Sequence, residues 1–165
     1  MILRNVSFQV KPGSRVAIVG PPNSGKSTLF KLINRFYDIQ EGGRITLDGY
    51  DIRKLKSSDL RQGISSLPQN SPIFSDSLGY NIGYGGVAEK LDATSDLQLI
   101  QSVAKTAKLH SFILSQKNDY QTKVGSSTKF DRVVKAKLGL ARALLKRGSV
   151  LFCIDAIGAD IRTNE

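Results

Sequence analysis

The 165 residues are enough for about one domain with a single sizeable core, and 40% hydrophobic against 23% charged residues is ordinary for a soluble globular chain. No apolar run approaches the ~18 residues of a membrane span, and Met1-Ile2-Leu3-Arg4 does not read as a signal peptide. A lone cysteine, Cys153, excludes an internal disulfide, while a net charge of +10 leaves anionic partners open.

In chain order, Asn5-Val6-Ser7-Phe8-Gln9-Val10 alternates with period two and breaks at Lys11-Pro12-Gly13-Ser14. That reads as a half-buried strand and a turn. The apolar run Val16-Ala17-Ile18-Val19 is a second strand. It leads into Gly20-Pro21-Pro22-Asn23-Ser24-Gly25-Lys26-Ser27-Thr28, which fits the P-loop spacing of Gly, four residues, then Gly-Lys-Ser. Leu29-Phe30-Lys31-Leu32-Ile33 continues with helical spacing, so strand, loop and helix come in the order the motif requires. Tyr37 to Gly43 is a loop. Arg44-Ile45-Thr46-Leu47-Asp48-Gly49 is a short strand with a turn, and Ser57 or Ser58 caps a helical turn. Ile64-Ser65-Ser66-Leu67 is a strand ending at Pro68-Gln69.

The stretch from Pro72 through Gly79, Gly83, Gly85 and Gly86 reads as loop-rich. From Ser95 or Asp96 the period turns helical and places Leu97, Ile100, Ala104 and Ala107 on one face. Phe112, Ile113 and Leu114 begin a second short apolar element. A helix starting near Lys135 carries Leu138, Ala141, Leu144 and Leu145 on one face, and Gly148 stops it. Val150-Leu151-Phe152-Cys153-Ile154 is an unbroken apolar run, expected of a strand covered on both faces, with Cys153 a buried thiol. Strands alternating with helices predict a mainly parallel α/β core in a single domain, 1–165. The segment from about Gln69 to Gln116 reads as a helical insertion.

The chemistry centres on the P-loop. Its backbone N–H groups and the following helix N-terminus can cage phosphates. Gly25 allows close approach, Lys26 reaches the outer phosphates and the Ser27 hydroxyl is placed for magnesium. Asn23 stands inside the loop where Gly would bend more freely, but Asn tolerates left-handed backbone better than most residues. Asp155, after the apolar strand, suits a carboxylate near magnesium; otherwise it merely begins a turn. Ala156 occupies the adjacent position, where a water-activating acid would naturally stand, and a methyl group accepts no proton. Gln69 can reach metal or water through its amide, or be an ordinary surface residue. His110, the single histidine, fits a structural role at a helix end.

Seven basic residues between Lys129 and Arg147 face one acid, Asp131. They suit a solvated helix face, acidic lipid or a partner. No aromatic side chains are interleaved for base stacking, which argues against nucleic acid.

Taken together, Leu3-Arg4-Asn5-Val6-Ser7-Phe8, the P-loop, Arg35-Phe36-Tyr37-Asp38, Ile45-Thr46-Leu47-Asp48-Gly49, Leu67-Pro68-Gln69 and Ala141-Arg142-Ala143-Leu144-Leu145-Lys146 give a family resemblance. The chain resembles the nucleotide-binding domain of ABC transporters over nearly its whole length. Asn81-Ile82-Gly83-Tyr84-Gly85 and Ala107-Lys108-Leu109-His110-Ser111-Phe112-Ile113 look most like exporters of the mitochondrial and heavy-metal-tolerance half-transporter type. The resemblance implies a P-loop NTPase core with a mainly parallel sheet, a small N-terminal antiparallel β part and an inserted helical subdomain at about 70–145. It implies ATP and Mg2+ as cofactors. Gly20, Asn23, Ser24, Gly25, Lys26, Ser27 and Thr28 would hold nucleotide, and Ser27, Gln69 and Asp155 magnesium, with Lys26, Gln69 and Asp155 carrying the catalytic roles. The implied partners are a second such domain, each ATP lying between one P-loop and the other domain's signature loop, and transmembrane domains carried elsewhere. The expected place is therefore a membrane, on its cytosolic or mitochondrial-matrix side, this stretch itself being soluble.

The departures from the family pattern bear on catalysis. Phe130-Asp131-Arg132-Val133-Val134 stands where the Leu-Ser-Gly-Gly-Gln signature should, after an apparent one-residue deletion. Arg and Val in place of paired glycines remove a close backbone approach, and Asp131 brings a carboxylate towards a phosphate. Ile157-Gly158-Ala159-Asp160 matches the D-loop only loosely. An adenine-stacking aromatic would fall before Met1 and a switch histidine after Glu165. The alternative to a working transporter domain is thus a pseudo-ATPase that binds nucleotide and acts as a dimerisation or regulatory partner.

Overall fold

Residues 3–40, 42–68, 70–86 and 95–153 are described by a computed structural model. They fall into two units, Met1–Arg61 and Gln62–Glu165.

In the first unit, helix α1 (Lys26–Ile33) carries the P-loop at its start. Its end is fixed by backbone geometry. Arg35 is left-handed at φ 51°, while Phe36 N–H donates to Lys31 O at 2.8 Å and Arg35 N–H to Leu32 O at 3.0 Å. This is the paired closure that usually falls to Gly. Arg61 reinforces it by donating to Asn34 O and Arg35 O, both at 3.2 Å, and its guanidinium lies 4.9 Å from the Phe36 ring centroid. Strands β1 (Thr46–Leu47) and β2 (Tyr50–Asp51) form an antiparallel hairpin. Asp48 (φ 50°) and Gly49 (φ 85°) between them supply the two positive φ angles that suit a tight hairpin turn. The hairpin runs on into a 3₁₀ turn, Ile52–Lys54.

The two expected N-terminal strands are not seen as such. Asn5–Val10 and Val16–Val19 have no ladder among the described residues, and Phe8 and Ile18 are about half exposed. Apolar alternation reports a face suited to burial, but a strand also needs a hydrogen-bonded neighbour.

The second unit holds the parallel pairing. Strand β3 (Ile64–Leu67) lies beside β6 (Val150–Cys153), with Ile64 opposite Val150 and Leu67 opposite Cys153. A second, antiparallel pair joins β4 (Asp76–Ser77) to β5 (Lys123–Val124). Helix α2 (Ser57–Gln62) leads to β3; the helical turn is where the sequence places it, but Ser57 and Ser58 are its first two residues and not its cap. The protein is thus a mixed α/β fold with a parallel pair and short antiparallel pairs.

Helix α3 (Leu78–Gly83) stands where the glycines predict loop. Ser77 Oγ caps it by accepting Tyr80 N–H at 3.0 Å. Gly79 lets the helix lie close to Tyr120: a Cβ would sit 3.2 Å from Tyr120 O, tight enough that the neighbour would have to give. Helices α4 (Ser95–Thr106), α5 (His110–Leu114) and α6 (Arg132–Lys146) complete the unit. Leu78, Ile82, Ala104, Ala107, Leu109, Ile113, Leu138 and Ala141 form its core. Of the face expected on α4, Ala104 and Ala107 are buried, whereas Leu97 near the first turn is 40% exposed.

Helix α6 begins before Lys135 because Asp131 caps it, Oδ1 accepting Val134 N–H at 2.6 Å. It ends on Arg147, left-handed at φ 53°. Gly148 has a different task from the expected stop: a Cβ there would lie 2.6 Å from Ser65 N. Strand β6 also departs from expectation. Leu151 is 44% exposed and the Cys153 thiol is exposed. The pleat turns alternate residues outward, and β3 is its sole ladder partner among the described residues. Among the described residues no helix is long and apolar enough to cross a membrane.

Candidate functional site

Gly25 makes the P-loop turn. It is left-handed at φ 95°, ψ 4°, immediately before α1, a conformation that L side chains resist. Asn23 is left-handed too, at φ 63°; among non-glycine residues Asn is one of the few that visits this region routinely. Gly20 leaves room for the Ser24 side chain. A Cβ there would lie 2.8 Å from Ser24 Oγ. The loop closes with Ser24 N–H donating to Pro21 O at 3.3 Å.

Residues Asn23 to Thr28 line a concavity of ≈ 220 Å³. No side chain caps α1, and no acid stands in its first turn. The first N–H groups of a helix lack intrahelical acceptors, and here no carboxylate competes for them. They add to the positive end of the helix dipole, so an anion is favoured at this spot. Lys26 adds a full charge. Its Nζ donates to Gly20 O at 2.7 Å and Pro21 O at 2.8 Å, and lies 3.3 Å from Ser24 Oγ. Because Lys26 is exposed, a phosphate can take over these bonds without uncovering a buried charge. Ser27 and Thr28 follow on the first turn of α1.

The structure therefore brings Gly20, Asn23, Ser24, Gly25, Lys26, Ser27 and Thr28 into one loop, and all but Gly20 line its concavity. Gln69, Asp155 and Ala156 lie outside the described residues. A larger concavity of ≈ 410 Å³ lies in the second unit, lined by Asn70, Ser71, Pro72, Ile73, Ser126, Thr128 and Lys135. Volume alone does not select it; the smaller one has the phosphate-binding pattern.

The stretch from Phe130 to Val134 has a defined local role. The Asp131 carboxylate accepts the Val134 N–H as the α6 cap, and Arg132 and Val133 form the first helical positions. His110 opens α5, and its Nδ1 lies 2.8 Å from Tyr120 Oη, in keeping with a structural helix-end role.

Sequence reasoning missed a polar node. Arg142 donates from Nε to Asn81 O, from Nη1 to Pro72 O and from Nη2 to Asn81 Oδ1, the last at 2.7 Å. Asn81, fully buried, also accepts Phe74 N–H and donates to Phe74 O and Ser77 O. The Arg142 guanidinium lies 4.9 Å from the Phe74 ring centroid. Burial holds the Arg142 pKa below its usual range. The sequence signal was too dilute: the partners are 61 positions apart.

Residues 3–156 match the family model described as ABC transporter. The chain is 40% identical over 166 residues to an ATM1-type heavy metal exporter of Novosphingobium aromaticivorans, covering 99% of the chain and 26% of that protein. It is 42% identical over 159 residues to a mitochondrial iron-sulfur clusters transporter, atm1, of Neurospora crassa, covering 96% of the chain and 21% of that protein. Among solved structures, a bacterial Atm1-family ABC exporter with ATP bound superposes with a TM-score of 0.85 at 38% identity, covering 96% of this chain and 27% of that one. The chain thus spans about a quarter of the length of the relatives it matches.

Proposed function

The chain belongs to the ABC transporter family, whose ATP-binding domain it matches, and from that premise we propose that its P-loop binds ATP with magnesium to drive export by a larger assembly. The observation that carries this reading is the loop itself. An uncapped α1 start, two left-handed turns and the exposed Lys26 stand around one small concavity. These residues fit a polyphosphate: the backbone N–H groups take the inner phosphates and Lys26 the outer ones. Magnesium, when bound, spreads the negative charge of the outer phosphates. Ser27 is the described residue suited to hold it, and Gln69 and Asp155 are proposed to complete its protein ligands.

The partners follow from the same reading. A second nucleotide-binding domain and membrane-spanning segments would convert nucleotide binding into movement of a substrate, at the cytosolic or mitochondrial-matrix side of a membrane. The similarity to a heavy metal exporter and to an iron-sulfur clusters transporter supports an exporter of that type. Titration of the chain with ATP and magnesium tests the first step. Saturable binding is expected, and no binding at millimolar ATP would contradict it.

A further inference from the structure

Asn23 offers more than tolerance of a left-handed bend. Its backbone sits at φ 63°, where Gly would do as well or better, so its side chain is free to be chosen for another purpose. That side chain is exposed and helps line the P-loop concavity. No hydrogen bond from its carboxamide is found among the described residues. Its neighbours differ: Ser24 Oγ lies 3.3 Å from Lys26 Nζ, and Gly25 is buried.

In a loop of this kind the backbone N–H groups hold the two inner phosphates, and the lysine reaches outward. A donor on the exposed side of the loop, ahead of the buried Gly25 and the α1 start, suits the phosphate farthest from the nucleoside. The Asn carboxamide has two N–H donors, and a charged acceptor makes such a bond stronger than one between neutral groups. We infer that the Asn23 carboxamide reads the third phosphate, making the loop prefer a nucleoside triphosphate over the diphosphate. This rests on the nucleotide reading of the same loop.

The test compares the chain with N23G and N23D, measuring binding of a non-hydrolysable ATP analogue and of ADP, each with magnesium. N23G keeps the left-handed backbone and N23D keeps both size and backbone tolerance, so neither should disturb the loop. In N23G, loss of the donor should weaken the triphosphate about three- to tenfold while ADP stays within about twofold. N23D, which adds a negative charge, should weaken the triphosphate at least as much as N23G does. Equal weakening of both nucleotides, or no change in N23G, would overturn the inference while leaving nucleotide binding intact. If the unmutated chain binds neither nucleotide, the functional reading fails together with the inference.

Discussion

The Arg142 guanidinium donates to both the main-chain oxygen and the carboxamide oxygen of Asn81. One side chain on α6 thereby fastens Asn81 within α3 and, through it, the loop from Pro72 to Ser77. Buried polar networks of this kind stabilise only when every member is satisfied. Asn81→Ala should cost about 2–4 kcal/mol, because it leaves the Phe74 N–H and C=O without their partner and takes one of three acceptors from the Arg142 guanidinium. Arg142→Lys should also destabilise, since an ammonium cannot reproduce the planar fork. Denaturant midpoints should show the two changes to be strongly non-additive. Additive losses would remove the coupling.

Gly139 reverses the usual helix rule. In an exposed helix interior, Gly→Ala gains about 1 kcal/mol. Here a Cβ would overlap Ser71 Oγ and lie 2.6 Å from Leu67 Cδ1, so Gly139→Ala should lower thermal stability. Ser71 Oγ is buried without a hydrogen-bond partner. Ser71→Ala alone should therefore be neutral or stabilise by about 1 kcal/mol. Combined with Gly139→Ala, it should recover part of the loss.

A pH effect is expected at the hairpin. The Arg53 side chain, and then its backbone N–H, hold the Asp51 carboxyl down at about 2, against an ordinary 3.8. A carboxylate depressed on folding adds stability above its unfolded pKa and loses it as pH falls through the folded value. The contribution should be intact above about pH 4 and fade towards pH 2. Carboxyl NMR titration should follow it, with Arg53→Gln returning Asp51 towards the ordinary range. An unchanged titration in that variant would show that Arg53 is not the cause.

Hydrolysis should be weak for this chain alone. Ala156 offers no group to take a proton from water. Phosphate release by the isolated chain should be negligible. Rapid release that disappears in Lys26→Ala would contradict this.

Local chemistry made much of the molecule legible in advance. Gly20 to Thr28 folds as its spacing predicts because the constraints are local: two left-handed positions and a tight turn. Asp48-Gly49 turns the β1–β2 hairpin for the same reason. What escaped was non-local. Gly79 reads as a loop residue, yet its role is to let α3 approach Tyr120. The apolar run at β6 reads as a strand covered on both faces, while Leu151 and Cys153 look outward, because coverage depends on neighbours remote in sequence. The Arg142–Asn81 node is remote for the same reason, and neither residue signals the other.

The central claim is that the P-loop lysine holds nucleotide. Its Nζ now rests on Gly20 O and Pro21 O, bonds that a phosphate would replace. The most direct measurement is equilibrium binding of magnesium and ATP to the chain and to its Lys26→Ala variant. Saturable binding, weakened about tenfold or more in the variant, is predicted. Equal affinities in the two proteins, or no binding by either at millimolar ATP, would contradict it.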